Sequence, residues 1–191
     1  MEFIPTTISG VVRIVPRVFS DHRGTFREQY RQNVFASAGI TENFVQDNIS
    51  TSKRGVLRGL HYQIEQAQSK LVTVLQGSIV DVAVDLRKDS ATFGKYVSVL
   101  LSEQNKQLLY IPEGFAHGFQ ALEDDTVVSY KCSDYYLQSG ERSLRWNDPQ
   151  VGINWPLLDV HLSDKDKVAP LLKDIPESDL FNSSNPYLEQ Y

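Results

Sequence analysis

Apolar side chains recur at every second position in short runs along this chain. In GSIVDVAVDLR (77–87), Val80, Val82 and Val84 alternate with Asp81, Ala83 and Asp85, which is the period of a pleated strand and not of a helix. The same reading places strands over GVVRIVPRVF (10–19), KLVTVLQ (70–76), KYVSVLLS (95–102), KQLLYIP (106–112) and TVVSYKCSDYY (126–136), with Gly77, Gly94 and Gly114 as turn residues near their ends. Helical signal is thin. RQNVFASAG (31–39) predicts two turns ending at Gly39, and LSDKDKVAPLLKD (162–174) predicts a helix capped by Ser163. Many short strands separated by glycine turns favour an all-β sandwich or barrel with a few short peripheral helices.

At 191 residues the chain fits one ordinary domain that buries a core without disulfides. The domain is expected over 1–175, followed by a polar, proline-containing tail over 176–191. A net charge of -5 with no lysine- or arginine-rich run argues against nucleic acid as the main partner. The lone cysteine, Cys132, reads as buried filler and is compatible with a reducing compartment. No stretch approaches the roughly 20 apolar residues of a membrane span, and no leader pattern opens the chain, so a cytoplasmic location is expected.

RGLHYQ (58–63) puts Arg58 and His61 inside a short buried strand, where unpartnered cations are costly. Strict alternation sets the two on opposite faces; a bulge at Gly59 would reconcile them. In IPEGFAHGF (111–119), the pattern P-x-G-x-x-H ending at His117 resembles the second signature of the cupin jelly rolls. The segment matching the first cupin signature, HYQIEQAQ (61–68), has Gln63 in place of a second histidine and Ala67 or Gln68 in place of a glutamate. Two histidines are too few for a tight metal site, so no metal is expected. His61 and His117 are then either acid–base or anion-binding groups or hydrogen-bonded core residues. Tyr130 reads from pattern as a packing residue or a functional phenol, and Asp166, three residues after Ser163, reads as half of a capping box.

DHRGTFRE (21–28), FVQDNIS (44–50), GVLRGLHYQ (55–63), SKLVTVLQGSIVDVAVDLR (69–87), IPEGFAHGF, YKCSDYY (130–136), RWNDPQVGINWP (145–156) and LSDKD (162–166) together closely resemble one cupin family, the dTDP-4-dehydrorhamnose 3,5-epimerases. The resemblance implies a double-stranded β-helix of the jelly-roll type, a homodimer, no cofactor and a dTDP-4-keto-6-deoxy sugar as substrate. It makes His61 the general base, oriented by Asp166, Tyr130 the acid on the opposite face, and Lys70 the group that steadies the enolate oxygen, with His117 nearby. Substrate contacts carry over to Arg23, Phe26, Glu28, Gln46, Asp47, Asn48, Arg58 and Tyr136, with Glu141 and Lys165 in more variable segments. The chemistry is coherent: a C4 ketone acidifies the protons at C3 and C5, and inversion needs a base on one face and an acid on the other. Relatives that invert one centre only, ketoisomerases, a non-catalytic sugar-binding cupin and a metal-dependent cupin oxygenase are the competing readings.

Overall fold

The computed structural model describes residues 1–182. In chain order the elements are β1 (Glu2–Pro5), β2 (Val12–Val15), β3 (Val18–Asp21), β4 (Gly24–Arg27), α1 (Gln32–Ser37), β5 (Gln46–Ser52), β6 (Leu57–Gln63), β7 (Lys70–Gln76), β8 (Ser78–Asp85), β9 (Tyr96–Ser102), β10 (Leu108–Ile111), β11 (Phe115–Ala121), β12 (Thr126–Cys132), β13 (Glu141–Ser143) and α2 (Asp164–Lys167). One sheet runs β1-β2-β10-β7-β12-β5 and the other β13-β6-β11-β8-β9; among the described residues, β3 and β4 pair only with each other. This is the jelly roll that the strand pattern and the family resemblance lead one to expect.

The alternation on β8 is real, but its aspartate face is the inside of the roll. Ile79 and Ala83, on the same face as Asp81 and Asp85, pack between the sheets with Val72, Val74, Leu109, Phe115, Phe119 and Val128. Val82 and Val84 point the other way, beneath C-terminal segments that contribute Trp155, Leu172 and Ile175. A third cluster seals the outer face of the first sheet, where Phe35 of α1 lies on Leu71, Leu108 and Ile14. Both sheets thus carry apolar side chains on two faces, which is why β8 contains almost no exposed residue.

Several expectations need adjustment. The run 10–19 is two strands, because Pro16 has no amide hydrogen to continue the ladder. The run 126–136 ends as a strand at Cys132. The helix expected over 162–174 is one turn of α2 and a separate 3-10 turn at Leu172–Asp174, since Pro170 breaks the helical ladder and biases Ala169 away from helical backbone. The helix at 31–39 forms as α1, with Gly39 at φ 84 after its end. The first part of the presumed tail is docked: Lys88 N donates to the Phe181 carbonyl, Phe181 N to the Leu86 carbonyl, and Arg142 Nε to Asp179 at 2.8 Å. The rest of that tail, 183–191, lies outside the described residues.

Asp85 anchors the β8 end of the roll. Its carboxylate accepts from Arg87 Nε and Nη2, both at 2.8 Å, from Ser90 at 2.7 Å and from Thr92 at 2.6 Å, and Arg87 stacks over Phe115. Burial alone pushes the carboxyl up, yet these donors outweigh it and hold Asp85 below its ordinary 3.8. A native value below the unfolded one adds stability that is complete above about pH 4 and is lost as pH falls through the depressed value. Asp85→Asn should therefore cost about 3 kcal/mol or more at pH 7, because it strands a buried guanidinium. In denaturant titrations, the gap to wild type should narrow below about pH 4.

Candidate active site

The cleft is made possible by a register slip between β6 and β11. His117 sits opposite His61 but Phe119 opposite Arg58, so three steps of β6 match two of β11, and the expected bulge falls at Gly59. Gly59 has φ 116, and a Cβ there would lie 2.6 Å from the His117 carbonyl oxygen and 2.7 Å from Gly118 Cα. Only glycine fits this backbone at this approach. As a result Arg58 and His61 border the same cavity, about 410 Å³ in volume, together with Lys70, His117, Tyr130 and Asp166.

His61 Nε2 lies 2.6 Å from Asp166 Oδ1. With its proton on Nε2 the neutral ring donates to the carboxylate, and Nδ1 keeps a lone pair. Asp166 arrives there through α2: Ser163 Oγ accepts from Asp166 N at 3.2 Å, as a helix cap does. The capping reading explains the turn, while the carboxylate itself reaches across to the histidine. Burial pushes the Asp166 carboxyl up, but hydrogen bonding and charge from His61, with help from Ser163 and the Gly59 amide, leave it below the usual range. His117 has a partner of the same kind, with Nε2 2.6 Å from Asp81 Oδ1 on β8.

Lys70 and Tyr130 come from the facing sheet, on neighbouring strands β7 and β12 that pair Lys70 with Cys132 and Val72 with Tyr130. Burial pulls the Lys70 ammonium below the ordinary lysine value against the opposing influence of Cys132, Asp81 and Glu141. Burial, with Cys132, pushes the Tyr130 phenol up, and Arg58 offsets only part of this. Tyr130 is therefore a protonated phenol at neutral pH, and Lys70 is an amine whose charged form is disfavoured by burial.

A second compartment of about 360 Å³ shares His61, Lys70 and Tyr130 and adds Gln46, Asn48, Tyr136 and Glu141. Gln46 Nε2 donates to Asn48 Oδ1 at 3.1 Å, Tyr136 N to Gln46 Oε1 at 2.9 Å, and Asn48 Nδ2 to Cys132 Sγ at 3.6 Å. Glu141 accepts from Tyr136 OH at 3.0 Å and pairs with Lys165 at 2.5 Å. Arg58 donates to Ser52 Oγ at 3.1 Å and to the Thr51 carbonyl at 3.2 Å.

Four of the residues inferred from the resemblance lie elsewhere in the chain. Asp47 is on the outward face of β5, paired with Lys131 at 2.8 Å. Arg23, Phe26 and Glu28 belong to the β3–β4 hairpin and the residue after it: Arg23 pairs with Asp21, Glu28 lies 3.5 Å from Arg31, and Phe26 is 69% exposed. Conversely, Ser50, Phe119 and His161 border the cavity without having been anticipated, and Asp81 emerges as the partner of His117. Asp81 was visible as a polar residue in a buried strand; Ser50 and Phe119 lie inside the matching motifs FVQDNIS and IPEGFAHGF, but on stretches that do not read as strands nothing directs them to a cavity. Gln63, at the lost cupin-ligand position, is committed to loop backbone: Nε2 donates to the Gln66 carbonyl at 2.7 Å, and Oε1 accepts from Leu137 N at 2.8 Å. Among the described residues, no three His, Cys, Asp or Glu side chains converge as a metal site would require.

A family model described as dTDP-4-dehydrorhamnose 3,5-epimerase matches residues 5–174. The dTDP-4-dehydrorhamnose 3,5-epimerase of Salmonella typhimurium is 51% identical over 90% of this chain and 96% of its own. Among solved structures, the dTDP-6-deoxy-D-glucose-3,5-epimerase of Legionella pneumophila, in complex with dTDP-4-keto-L-rhamnose, superposes with a TM-score of 0.93. It is 48% identical, covering 95% of this chain and 97% of that one. A 3'-monoepimerase from Streptomyces bikiniensis is also similar, at 35% identity and TM-score 0.87, covering 93% of this chain and 92% of that one. With nearly the whole jelly roll matched and His61, Lys70 and Tyr130 gathered in one cleft, the chain belongs to the dTDP-4-dehydrorhamnose 3,5-epimerase family.

Proposed function

We propose that this cleft converts dTDP-4-dehydro-6-deoxy-D-glucose to dTDP-4-dehydro-L-rhamnose, the epimerisation step of dTDP-L-rhamnose biosynthesis, by moving protons at C3 and C5. The observation that carries the reading is that an imidazole held by a carboxylate, a phenol and an ammonium border one cavity. His61 Nδ1 takes the proton next to the ketone, Asp166 stabilises the imidazolium that forms, and Tyr130 returns a proton from the other side. The negative charge rests on the C4 oxygen, where Lys70 stabilises it by several kcal/mol in a site poor in water. His117, fixed by Asp81, is a further contact for the sugar. Arg58, Gln46, Asn48 and Tyr136 hold the nucleotide diphosphate and base, and the Glu141–Lys165 pair fixes the wall beside Tyr136.

Arg23, Phe26 and Glu28 join such a site only across a homodimer. A two-stranded hairpin is marginal alone, and this one exposes Phe19 and Phe26. A second copy that covers it would also bring the Arg23 guanidinium to the partner's diphosphate. A cytoplasmic place for the protein fits a single buried cysteine and the lack, among the described residues, of a helix able to cross a membrane.

The deciding experiment incubates the substrate in deuterated water. Wild type should label both C3 and C5, and His61→Ala should slow labelling at both on the order of 10²–10⁴-fold while dTDP still binds. Label at C3 alone would mark a monoepimerase, and none at either centre would mark a binding protein. The alkaline limb of kcat/KM should follow the depressed Lys70, falling as pH rises through a value below 10.5, and Lys70→Arg, whose charge persists, should lack that limb. Light scattering at micromolar concentration should give twice the chain mass, and Arg23→Ala should raise KM without changing that mass.

A further inference from the structure

The inward row of β5 is polar throughout: Gln46, Asn48, Ser50 and Ser52 follow one another at alternate positions. Three of the four side chains are engaged within the chain. Gln46 binds Asn48 and the Tyr136 amide, Asn48 binds Cys132, and Ser52 accepts from Arg58. Ser50 is the exception. Its Oγ is buried and has no hydrogen-bond partner among the described residues, an arrangement that costs free energy unless something else completes it. Ser50 is among the residues that line the cavity containing His61, Lys70 and Tyr130. It does not border the adjoining compartment, where Gln46, Asn48, Tyr136 and Glu141 lie.

From this placement we infer that Ser50 is a substrate-binding residue whose hydroxyl pairs with a ring hydroxyl of the hexose and so helps to hold the sugar between His61 and Tyr130. The inference rests on the nucleotide-sugar reading of the cleft. A hydroxyl can donate and accept at once, which suits a sugar hydroxyl. A phosphoryl oxygen, the other acceptor such a substrate carries, is better matched by the arginines.

The test separates the two ends of the ligand. Calorimetric titration of the full chain would use dTDP-glucose, which keeps ring hydroxyls but has no ketone to enolise, and dTDP, which has no sugar. Ser50→Ala should weaken dTDP-glucose about three- to tenfold and leave dTDP within about twofold. Its Tm without ligand should equal or exceed that of wild type, because the change removes a buried hydroxyl that has no partner in the fold. Equal weakening of both ligands would make Ser50 a diphosphate contact, and unchanged binding of both would remove it from the site; either result overturns the inference, as does a fall in Tm without selective loss of dTDP-glucose. Wild type that binds dTDP-glucose but exchanges no deuterium into the keto-sugar would sink the epimerase reading while leaving the role of Ser50 in binding standing.

Discussion

The cleft depends on one backbone constraint, the approach of β6 to β11 at Gly59 and Gly118. A Cβ on Gly118 would meet the Arg58 carbonyl at 2.7 Å, just as one on Gly59 would meet the His117 carbonyl at 2.6 Å. With a methyl group on either residue the strands could not lie this close. Without the extra residue of β6, strict alternation would turn either Arg58 or His61 out of the roll. The same close contact places the two histidines side by side in register. Each is then fixed by a carboxylate from a different element, Asp166 of α2 and Asp81 of β8. The roll supplies facing walls, and the slip decides what those walls present.

Electrostatics in the cleft divide the work between groups that look interchangeable in composition. Burial raises the Tyr130 phenol and lowers the Lys70 ammonium, so the phenol holds its proton across neutral pH while the lysine's charge is the more sensitive of the two to rising pH. Asp166 remains an anion because its hydrogen-bond donors outweigh its burial. The histidine it holds therefore keeps one tautomer and one orientation, as the proposed general base requires.

Much of this was legible in the chain, and the failures have physical reasons. The alternation in β7, β8, β9 and β12 identified their strands, and the mismatch between Arg58 and His61 correctly called for a bulge. β11 escaped notice because FAHGFQA is interrupted by glycine, histidine and glutamine, although all seven of its residues are buried; the polar ones are there because the strand runs through the site. β5, QDNISTS, escaped because its inward row is polar and Ile49 of its outward row is 68% exposed. Pattern could show that Val80, Val82 and Val84 share a face, but not that the aspartate face is the inside. Asp47 lies within a matching motif yet turns outward by simple alternation, since Gln46 and Asn48 occupy the inner face. The hairpin residues Arg23, Phe26 and Glu28 lie outside the cleft of their own chain, because, among the described residues, β3 and β4 pair with each other and not with either sheet of the roll.

The most direct test is stereochemical. A base on one face with its acid removed can return a proton only to the side it came from. Tyr130→Phe, incubated with the keto-sugar in deuterated water, should therefore incorporate deuterium while retaining configuration at the labelled carbons, with net inversion lost on the order of 10²-fold or more. Inversion at both C3 and C5 at the wild-type rate in Tyr130→Phe would contradict the two-sided mechanism and send the search for the acid elsewhere in the cleft.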